Sequence, residues 1–305
     1  MSRLLKTIIE NNKNYTKDGE VASYIPELAK ANRDALGIYI CNIDGEEEFA
    51  GDFETKFTMQ SISKIISLMV AILDNGADYV FSKVGVDSTS DAFNSIVNLE
   101  IKNSHKPLNP MINAGAIDTV GLIEGKNSDE VFNKILKFTR MITNNADITI
   151  NEEVYKSEKI TGNRNRSLAY FMKSTGVITK DVEEILDVYF KQCSMEVTCR
   201  DIARIGAMLG NDGVMPWNGK RAIPRHVAKI IKTIMVTCGM YDGSGDFAVN
   251  VGVPAKSGVG GGILAAVPGR MGIGVIGPSL DIKGNSIAGI KVLEDLSREL
   301  DLSIF

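Results

Sequence analysis

Strand-like patterns stand at both ends of this sequence, and a long helical block separates them. Alternating apolar residues over 36–43, the turn dipeptide Asp44-Gly45 and a return segment over 46–52 predict a β-hairpin. Near the other end, three further segments have the composition of strands joined by tight turns: 247–253, 262–267 and 271–276. We therefore predict an α+β fold, with one antiparallel sheet of about five strands covered by the terminal helices and with an all-helical subdomain.

The stretch between about residues 77 and 240 has helical periodicity. Apolar residues recur at three-to-four spacing in the segments 129–142, 166–174, 181–192, 199–210 and 224–236. Thr198 and Asp201 have the spacing of a capping box, a short helix is predicted from Pro26, and 286–300 predicts a closing helix. We predict a single domain over 1–305, with a sheet lobe from 1–76 and 241–305 and an inserted helical lobe over 77–240.

The composition is that of an ordinary globular protein. Apolar residues make up 44%, charged residues 24%, and the net charge is −4, with no Lys/Arg cluster. Nucleic acid is therefore not an expected partner. The N-terminal residues are too polar for a signal peptide and no apolar run approaches the length of a bilayer span. We expect a cytoplasmic protein with no membrane partner.

The cysteines and histidines have no metal-ligand spacing. We predict buried free thiols in a reducing compartment for all four cysteines: Cys41, Cys193, Cys199 and Cys238. His226 lies in an amphipathic run and is predicted on a solvated face, and His105 lies in a polar loop over 103–107. These patterns disfavour a Ser-His-Asp triad and a metal site, and we expect no cofactor.

Ser61 and Lys64 are one turn apart on a predicted helix that is otherwise strongly apolar and ends at Gly76. A serine at a helix N-terminus feels the positive end of the helix dipole, which favours a developing alkoxide. The pair is therefore a candidate nucleophile and base. Chance also supplies about one or two such spacings in a chain of this length, so a capping serine and a surface lysine are the alternative.

Two glycine-rich stretches need separate interpretations. Lys256 and Ser257 lead into the run 258–262, which either is a flexible hairpin or leaves backbone N–H groups free as an oxyanion hole. The run Gly272–Gly277 has the spacing of dinucleotide binders. Because it lies in a predicted strand that no helix follows, we reject that function.

Five polar residues are open to a structural or a binding interpretation. Asn113 either caps a helix or binds a polar ligand. Glu158 and Asn165 lie in a polar stretch before a predicted helix, where loop and cap roles are the alternative. Tyr189 and Tyr241 lie in amphipathic segments, where a tyrosine commonly packs with a hydrogen-bonded tip.

Six segments together resemble the serine-dependent glutaminases, in that family's order, from about Gly19 to Leu300. They are Gln60–Lys64, Asn109–Ala116, Ser157–Glu158 with Gly162–Asn165, Cys193–Cys199, Cys238–Asp242 and Pro254–Gly262. The resemblance is to the short bacterial form and implies the fold of the β-lactamases and penicillin-binding proteins. The helical block has no Ser-Asp-Asn or Tyr-x-Asn motif, which argues against penicillin chemistry.

The resemblance implies that Ser61 attacks the side-chain amide of L-glutamine and that Lys64 is its base. A γ-glutamyl ester then forms, ammonia leaves, and water releases L-glutamate. The backbone N–H groups of Ser61 and Val259 would form the oxyanion hole, and Tyr241 would relay a proton to the ammonia. The positions that match the glutamine-binding residues of the family are Tyr24, Ser61, Asn113, Glu158, Asn165, Tyr189, Tyr241 and Val259.

Lys256 and Ser257 are expected to support the site. Lys64 must be neutralised by burial or by a neighbouring cation before it can accept a proton, and Lys256 would supply that cation. Glu158 would pair with the substrate α-ammonium, while the amides and tyrosine hydroxyls would take the α-carboxylate and the amide. The family suggests a homodimer or homotetramer. Two other functions stay open: a serine esterase or D-Ala peptidase of the same fold, and a sensor that binds glutamine without turnover.

Overall fold

The computed structural model of the chain describes residues 1–101 and 105–305. The β-strands are β1 Gly37–Asn42, β2 Glu47–Gly51, β3 Phe57–Thr58, β4 Glu196–Val197, β5 Ala255–Ser257, β6 Gly262–Val267 and β7 Met271–Ile276. The α-helices are α1 Ser2–Asn12, α2 Ser63–Asn75, α3 Ala77–Lys83, α4 Val97–Ile101, α5 Asn113–Leu122, α6 Ser128–Thr143, α7 Glu152–Thr161, α8 Asn163–Ser174, α9 Val182–Cys193, α10 Cys199–Gly210, α11 Arg225–Cys238, α12 Ser244–Asn250 and α13 Ile287–Leu300. Turns of 3-10 helix lie at Lys13–Lys17, Pro26–Lys30, Gln60–Ile62 and Tyr241–Gly243.

The main sheet joins strands from both ends of the chain. Within the described ranges it has five strands in the order β2-β1-β7-β6-β5, and all neighbours are antiparallel. Side chains of β1 alternate between the faces: Ile38 and Ile40 pack with the terminal helices α1 and α13, whereas Tyr39 and Cys41 belong to the core of the other face. The predicted α+β class and the split sheet are confirmed.

Helix α10 packs against β1, β6 and β7 on that other face. The approach is so close that a Cβ on Gly272 would lie 1.9 Å from the backbone nitrogen of Ala207. The glycine spacing of 272–277 therefore has a packing role in β7. Although α10 contacts the sheet, its residues fall in the predicted helical lobe 77–240, and the division into two lobes stays a prediction.

Several local predictions agree with the structure. Helices α6, α8, α9, α10 and α11 cover the five predicted segments, and the capping box of Thr198 and Asp201 is present at the start of α10. The hairpin β1–β2 has the predicted turn, and the helix predicted from Pro26 is a 3-10 turn. The side chain of Ser286 accepts a hydrogen bond from Gly289 N–H and caps the closing helix α13.

The strand predicted over 247–253 is wrong, because most of this segment forms helix α12. Phe247 and Val251 are buried while Val249 is 85% exposed. Residues four apart share a helix face, whereas in a strand all three would have shared one face. Ala255–Ser257 forms the fifth strand instead.

Helix α1 was not predicted from the sequence, and α3, α4, α5 and α7 lie in the predicted helical block without a predicted segment of their own. As a result, Glu158 lies within a helix and not in the loop of the polar stretch. Residues 103 and 104 of the polar loop predicted around His105 lie outside the described residues. His226 is exposed, as predicted, and all four cysteines are buried.

The described residues contain no group of three or more His, Cys, Asp or Glu side chains placed to hold a metal ion. Over the same ranges, no single helix has both the length and the apolar character needed to cross a membrane. One bent pair, Gln60–Asn75 with Ala77–Lys83, passes that test by length and composition only.

Helix α2 lies at the centre of the helical part. Every residue from Ser63 to Ile72 is buried, and the helix packs against α3, α5, α6 and α11. The 3-10 turn Gln60–Ile62 leads directly into it, and Gly76, with φ of 80°, ends it. Ser61 therefore lies at the entrance of a buried helix, and Lys64 lies in its first turn.

Candidate active site

A cavity of about 90 Å³ lies at the entrance of α2. Seven of the predicted site residues line it: Tyr24, Ser61, Asn113, Glu158, Asn165, Tyr189 and Val259. They come from separate segments of the chain, and Tyr24 is 57% exposed whereas the Ser61 side chain is at the buried end. A larger groove of about 340 Å³ beside the cavity shares only Val259 with this set.

Lys64 is fully buried behind the cavity wall. Its Nζ donates to the Met111 carbonyl oxygen at 2.9 Å and to Asn113 Oδ1 at 2.7 Å. Burial lowers the pKa of Lys64 to about 8, and the nearby Cys193 and Glu158 oppose that shift. An amine with such a pKa can exist in its neutral form near physiological pH, which a general base requires.

Ser61 lies one turn before Lys64 and lines the cavity. Two residues beside it have left-handed backbone conformations that non-glycine residues rarely adopt: Gln60 with φ of 47° and Tyr241 with φ of 55°. Such strain persists where the surrounding packing imposes it, and it concentrates at functional sites.

Tyr241 is buried against the second fully buried lysine. Lys256 Nζ lies 4.4 Å from the centroid of the Tyr241 ring and donates to the carbonyl oxygens of Gly239 and Ser257. Burial and then the charge of Lys64 lower the pKa of Lys256 well below its usual value. Burial is the first cause of the lowered pKa of Lys64, and the role of Lys256 as a neighbouring cation stays a prediction.

The Tyr241 hydroxyl has no hydrogen-bond partner in the part of the chain that the structure describes. Burial raises the pKa of Tyr241, and the Ser61 side chain and the Val259 N–H, which face the phenol, oppose that shift. The buried Ser257 hydroxyl is likewise without a partner among the described residues. An unpartnered buried hydroxyl is costly unless a ligand or water completes it.

The glycine run after β5 lies directly against the residues around Ser61. A Cβ on Gly258 would lie 2.7 Å from the Met59 carbonyl oxygen, and one on Gly260 would lie 2.7 Å from that of Thr58. Only glycines allow this approach, which brings Val259 to the cavity. The run is thus a closely packed wall of the site and not a flexible hairpin.

Amide side chains connect the catalytic candidates to the opposite wall. Asn113 Nδ2 donates to Asn165 Oδ1 at 2.9 Å, while Asn113 Oδ1 accepts from Lys64. Glu158 is 5% exposed, and burial raises its pKa to about 7, although the Gln60 side chain and the charge of Lys64 oppose the shift. A carboxylate this buried is stabilised by a cation brought to it.

Several lining residues were not among the predicted site residues: Ile25, Gln60, Phe93, Asn94, Thr161, Gly162, Arg164 and Cys193. Gln60, Arg164 and Cys193 lie in the segments that carry the family resemblance, so these segments could have identified them as site residues. Phe93 and Asn94 lie in an irregular stretch with no motif. Conversely, Lys64, Tyr241, Lys256 and Ser257 lie behind the cavity wall and do not line it.

A sequence model of the glutaminase family matches residues 19–305. A glutaminase of Clostridium botulinum is 68% identical over 305 residues and 100% of both chains. The chain belongs to the glutaminase family. A glutaminase of Clostridium tetani is 66% identical, again over 100% of both chains.

Solved glutaminases have the same fold. A Bacillus glutaminase studied in 4.3 M NaCl matches with a TM-score of 0.93 and 42% identity, over 100% of this chain and 99% of that one. The Bacillus subtilis glutaminase YbgJ, as its covalent complex with 5-oxo-L-norleucine, matches with a TM-score of 0.91 and 41% identity, over 100% and 99% of the two chains. The sheet and helices of this chain therefore form the β-lactamase-like fold of the glutaminase family.

Proposed function

We propose that this protein hydrolyses the side-chain amide of L-glutamine to L-glutamate and ammonia. The observation that carries the proposal is the cavity, in which a serine beside a buried amine faces a buried carboxylate. A relative of 41% identity forms a covalent complex with 5-oxo-L-norleucine on reaction with 6-diazo-5-oxo-L-norleucine, an amino acid of the glutamine type. Covalent capture of such a compound requires a nucleophile.

We assign the nucleophile to Ser61 and the base to Lys64. A neutral lysine has two N–H donors and one lone pair, and both donors are occupied by Met111 and Asn113. The lone pair is then left to accept the Ser61 hydroxyl proton. Ser61 Oγ attacks the amide carbon while Lys64 takes the hydroxyl proton. The C–N bond of the resulting tetrahedral intermediate then breaks, the nitrogen takes up that proton and leaves as ammonia, and a γ-glutamyl ester remains on Ser61. Water attacks the ester carbon, the bond to Ser61 Oγ breaks, and L-glutamate leaves with the Ser61 hydroxyl restored.

The backbone N–H groups of Ser61 and Val259 are the proposed oxyanion hole. The Val259 segment is held against residues 58–60 by the glycines on either side of it, so its position is fixed before the substrate arrives. Preorganised donors of this kind contribute about 3 kcal/mol each to transition-state stabilisation. Tyr241, whose hydroxyl is unpartnered in the described chain, is placed to pass a proton to the departing ammonia.

The remaining lining residues are assigned to substrate binding. Glu158 pairs with the α-ammonium, and Asn113, Asn165, Tyr24 and Tyr189 hydrogen-bond the polar groups of the substrate. In this scheme Lys256 and Ser257 support Tyr241 and the loop that follows β5. We further propose a cytoplasmic homodimer or homotetramer that takes up no cofactor.

Measurement of glutamate and ammonia tests this function. With L-glutamine, the purified protein should release both products in equal amounts, and L-asparagine, which is one methylene shorter, should be the poorer substrate. Binding of glutamine without product would show a sensor. Hydrolysis of an ester or a D-Ala peptide without action on glutamine would show the other hydrolase, and either result would contradict the proposal.

A Glu158→Gln substitution should raise KM for L-glutamine about 10- to 100-fold with a smaller change in kcat, because a buried charge-assisted contact with the α-ammonium is lost. Since burial raises the pKa of Glu158 to about 7, the wild-type KM should also rise as the pH falls below about 7 and the carboxylate is protonated. The variant should lack that rise. Initial rates across substrate concentration and pH measure both effects.

Glu153→Gln is the matched control. Glu153 is on the same helix α7, pairs with Lys156 at the surface and does not line the cavity, so its kinetics should match those of the wild type. An unchanged KM in Glu158→Gln would contradict the role of Glu158 in binding the α-ammonium.

A further inference from the structure

We infer that Arg164 is a substrate-specificity residue whose guanidinium binds the α-carboxylate of the amino-acid substrate at the mouth of the cavity. The inference rests on the proposed function and adds to the residues assigned above. Among the described residues that line the cavity, Glu158 and Arg164 are the only ones with charged side chains. One carboxylate and one guanidinium match the two charges of an α-amino acid.

The Arg164 side chain is held in place but keeps donors available. Its Nε donates to the Asn94 carbonyl oxygen at 2.8 Å. Its terminal nitrogens are not occupied by that contact. A guanidinium anchored in this way presents a planar pair of donors, the geometry that suits a carboxylate.

The other cations near the site cannot replace it. Lys64 and Lys256 are fully buried behind the cavity wall, and each donates to carbonyl or amide oxygens of the protein. Burial lowers the pKa of both amines, whereas a guanidinium stays charged. Arg164 is therefore the cation that a substrate carboxylate meets at the cavity.

The helix dipoles at the junction of α7 and α8 favour the same placement of the two substrate charges. Glu158 lies in the last turns of α7, and Arg164 and Asn165 lie in the first turn of α8, which contains no acidic residue. Gly162 makes the sharp junction possible, since a Cβ there would lie 2.5 Å from Phe190 Cζ. The C-terminal end of a helix favours a cation and the N-terminal end favours an anion, so the junction fits the ammonium beside Glu158 and the carboxylate beside Arg164.

The test compares L-glutamine with L-glutaminamide, in which the α-carboxylate is a neutral amide. Chromatography quantifies L-glutamate from the first substrate and L-isoglutamine from the second. In Arg164→Gln, KM for L-glutamine should rise about 10-fold with kcat within about 2-fold, the scale of one exposed charge-assisted hydrogen bond. The kcat/KM for L-glutaminamide should not change. Arg164→Lys should recover part of the affinity for L-glutamine, because lysine restores the positive charge but not the paired donors of the guanidinium.

Arg166→Gln is the matched control on the same helix. Arg166 lies 3.7 Å from a Glu183 oxygen and over the Phe190 ring, and it does not line the cavity, so both substrates should react as with the wild type. If Arg164→Gln lowers kcat/KM equally for both substrates, or for neither, the inference is overturned. The proposed function still holds in that case, provided that the wild type hydrolyses L-glutamine. A wild-type protein that hydrolyses no L-glutamine would overturn the proposed function and this inference with it.

Discussion

Replacing Ser61 by alanine should lower kcat for L-glutamine by about 10⁴-fold or more, since no ester can form without the nucleophile. The Ser61 side chain is small and lines the cavity, so it contributes little packing to the fold. The thermal unfolding temperature should therefore stay close to that of the wild type. A coupled glutamate assay and a melting curve on the same preparation measure the two results.

Cys193→Ala is the control for this substitution. Cys193 is a second potential nucleophile in the lining of the cavity, and burial raises the pKa of its thiol. Because the thiolate is the reactive form, a raised pKa makes the thiol inert. The Cys193→Ala variant should keep kcat within about 10-fold of the wild type. Loss of activity in Cys193→Ala with retention in Ser61→Ala would assign the chemistry to the thiol.

Replacing Lys64 by methionine should lower kcat about 10³- to 10⁵-fold, because the proton of the Ser61 hydroxyl then has no acceptor. Methionine fills a similar volume, so the surrounding helices should keep their packing. Lys64→Arg should be equally inactive, since arginine cannot release its proton at the pH of the assay. Full activity in Lys64→Arg would exclude a general base at this position.

The pH dependence gives Lys64 its own signature. Burial lowers the pKa of Lys64 from 10.5 to about 8, so wild-type kcat should rise with pH through about 8 as the neutral amine forms. Lys256→Met, which removes the other buried lysine, should lower the rate but keep that rise. The measurement is kcat at saturating L-glutamine from pH 6 to 9.

Replacing Lys64 by methionine should remove activity without lowering the stability of the fold. A folded-state pKa below the unfolded value costs stability wherever the lysine is protonated, so the cost is full below pH 8 and disappears as the pH rises to 10.5. Removing the amine should therefore raise the free energy of unfolding by roughly 3 kcal/mol. The loss of its hydrogen bonds should lower that free energy by about 1 kcal/mol for each bond. Lys64→Met should therefore unfold at the same or a higher denaturant concentration than the wild type at pH 7.

The sequence patterns predicted the fold well where one periodicity was long enough to be unambiguous. The hairpin over 36–52 has a strong turn signal and helix α10 has a capping box, and both signals are local. The segment 247–253 is too short to separate a period of two from a period of 3.6, and packing of Phe247 and Val251 on one helix face decided it. Helix α7 has no clear apolar periodicity, because only Val154 and Glu158 of its residues are buried and most of its surface is polar.

The site was predictable only in part, because a cavity is a property of tertiary structure. Ser61 and Lys64 are three residues apart, so their proximity follows from helix geometry alone. Phe93, Asn94 and Arg164 reach the cavity through contacts between distant segments, such as the bond from Arg164 to the Asn94 carbonyl. A lowered pKa of Lys64 was expected from its proposed role, but that burial is the first cause of the shift for Lys64 and for Glu158 is a property of the tertiary structure.

The most direct test of the assigned nucleophile is to locate the covalent adduct. The protein would be reacted with 6-diazo-5-oxo-L-norleucine, the compound that forms the covalent complex with the Bacillus subtilis relative, then digested and examined by peptide mass mapping. An adduct on Ser61, absent from Ser61→Ala and retained in Cys193→Ala, is the predicted result. An adduct on Cys193, or one that persists in Ser61→Ala, would contradict the assignment of Ser61 as the nucleophile.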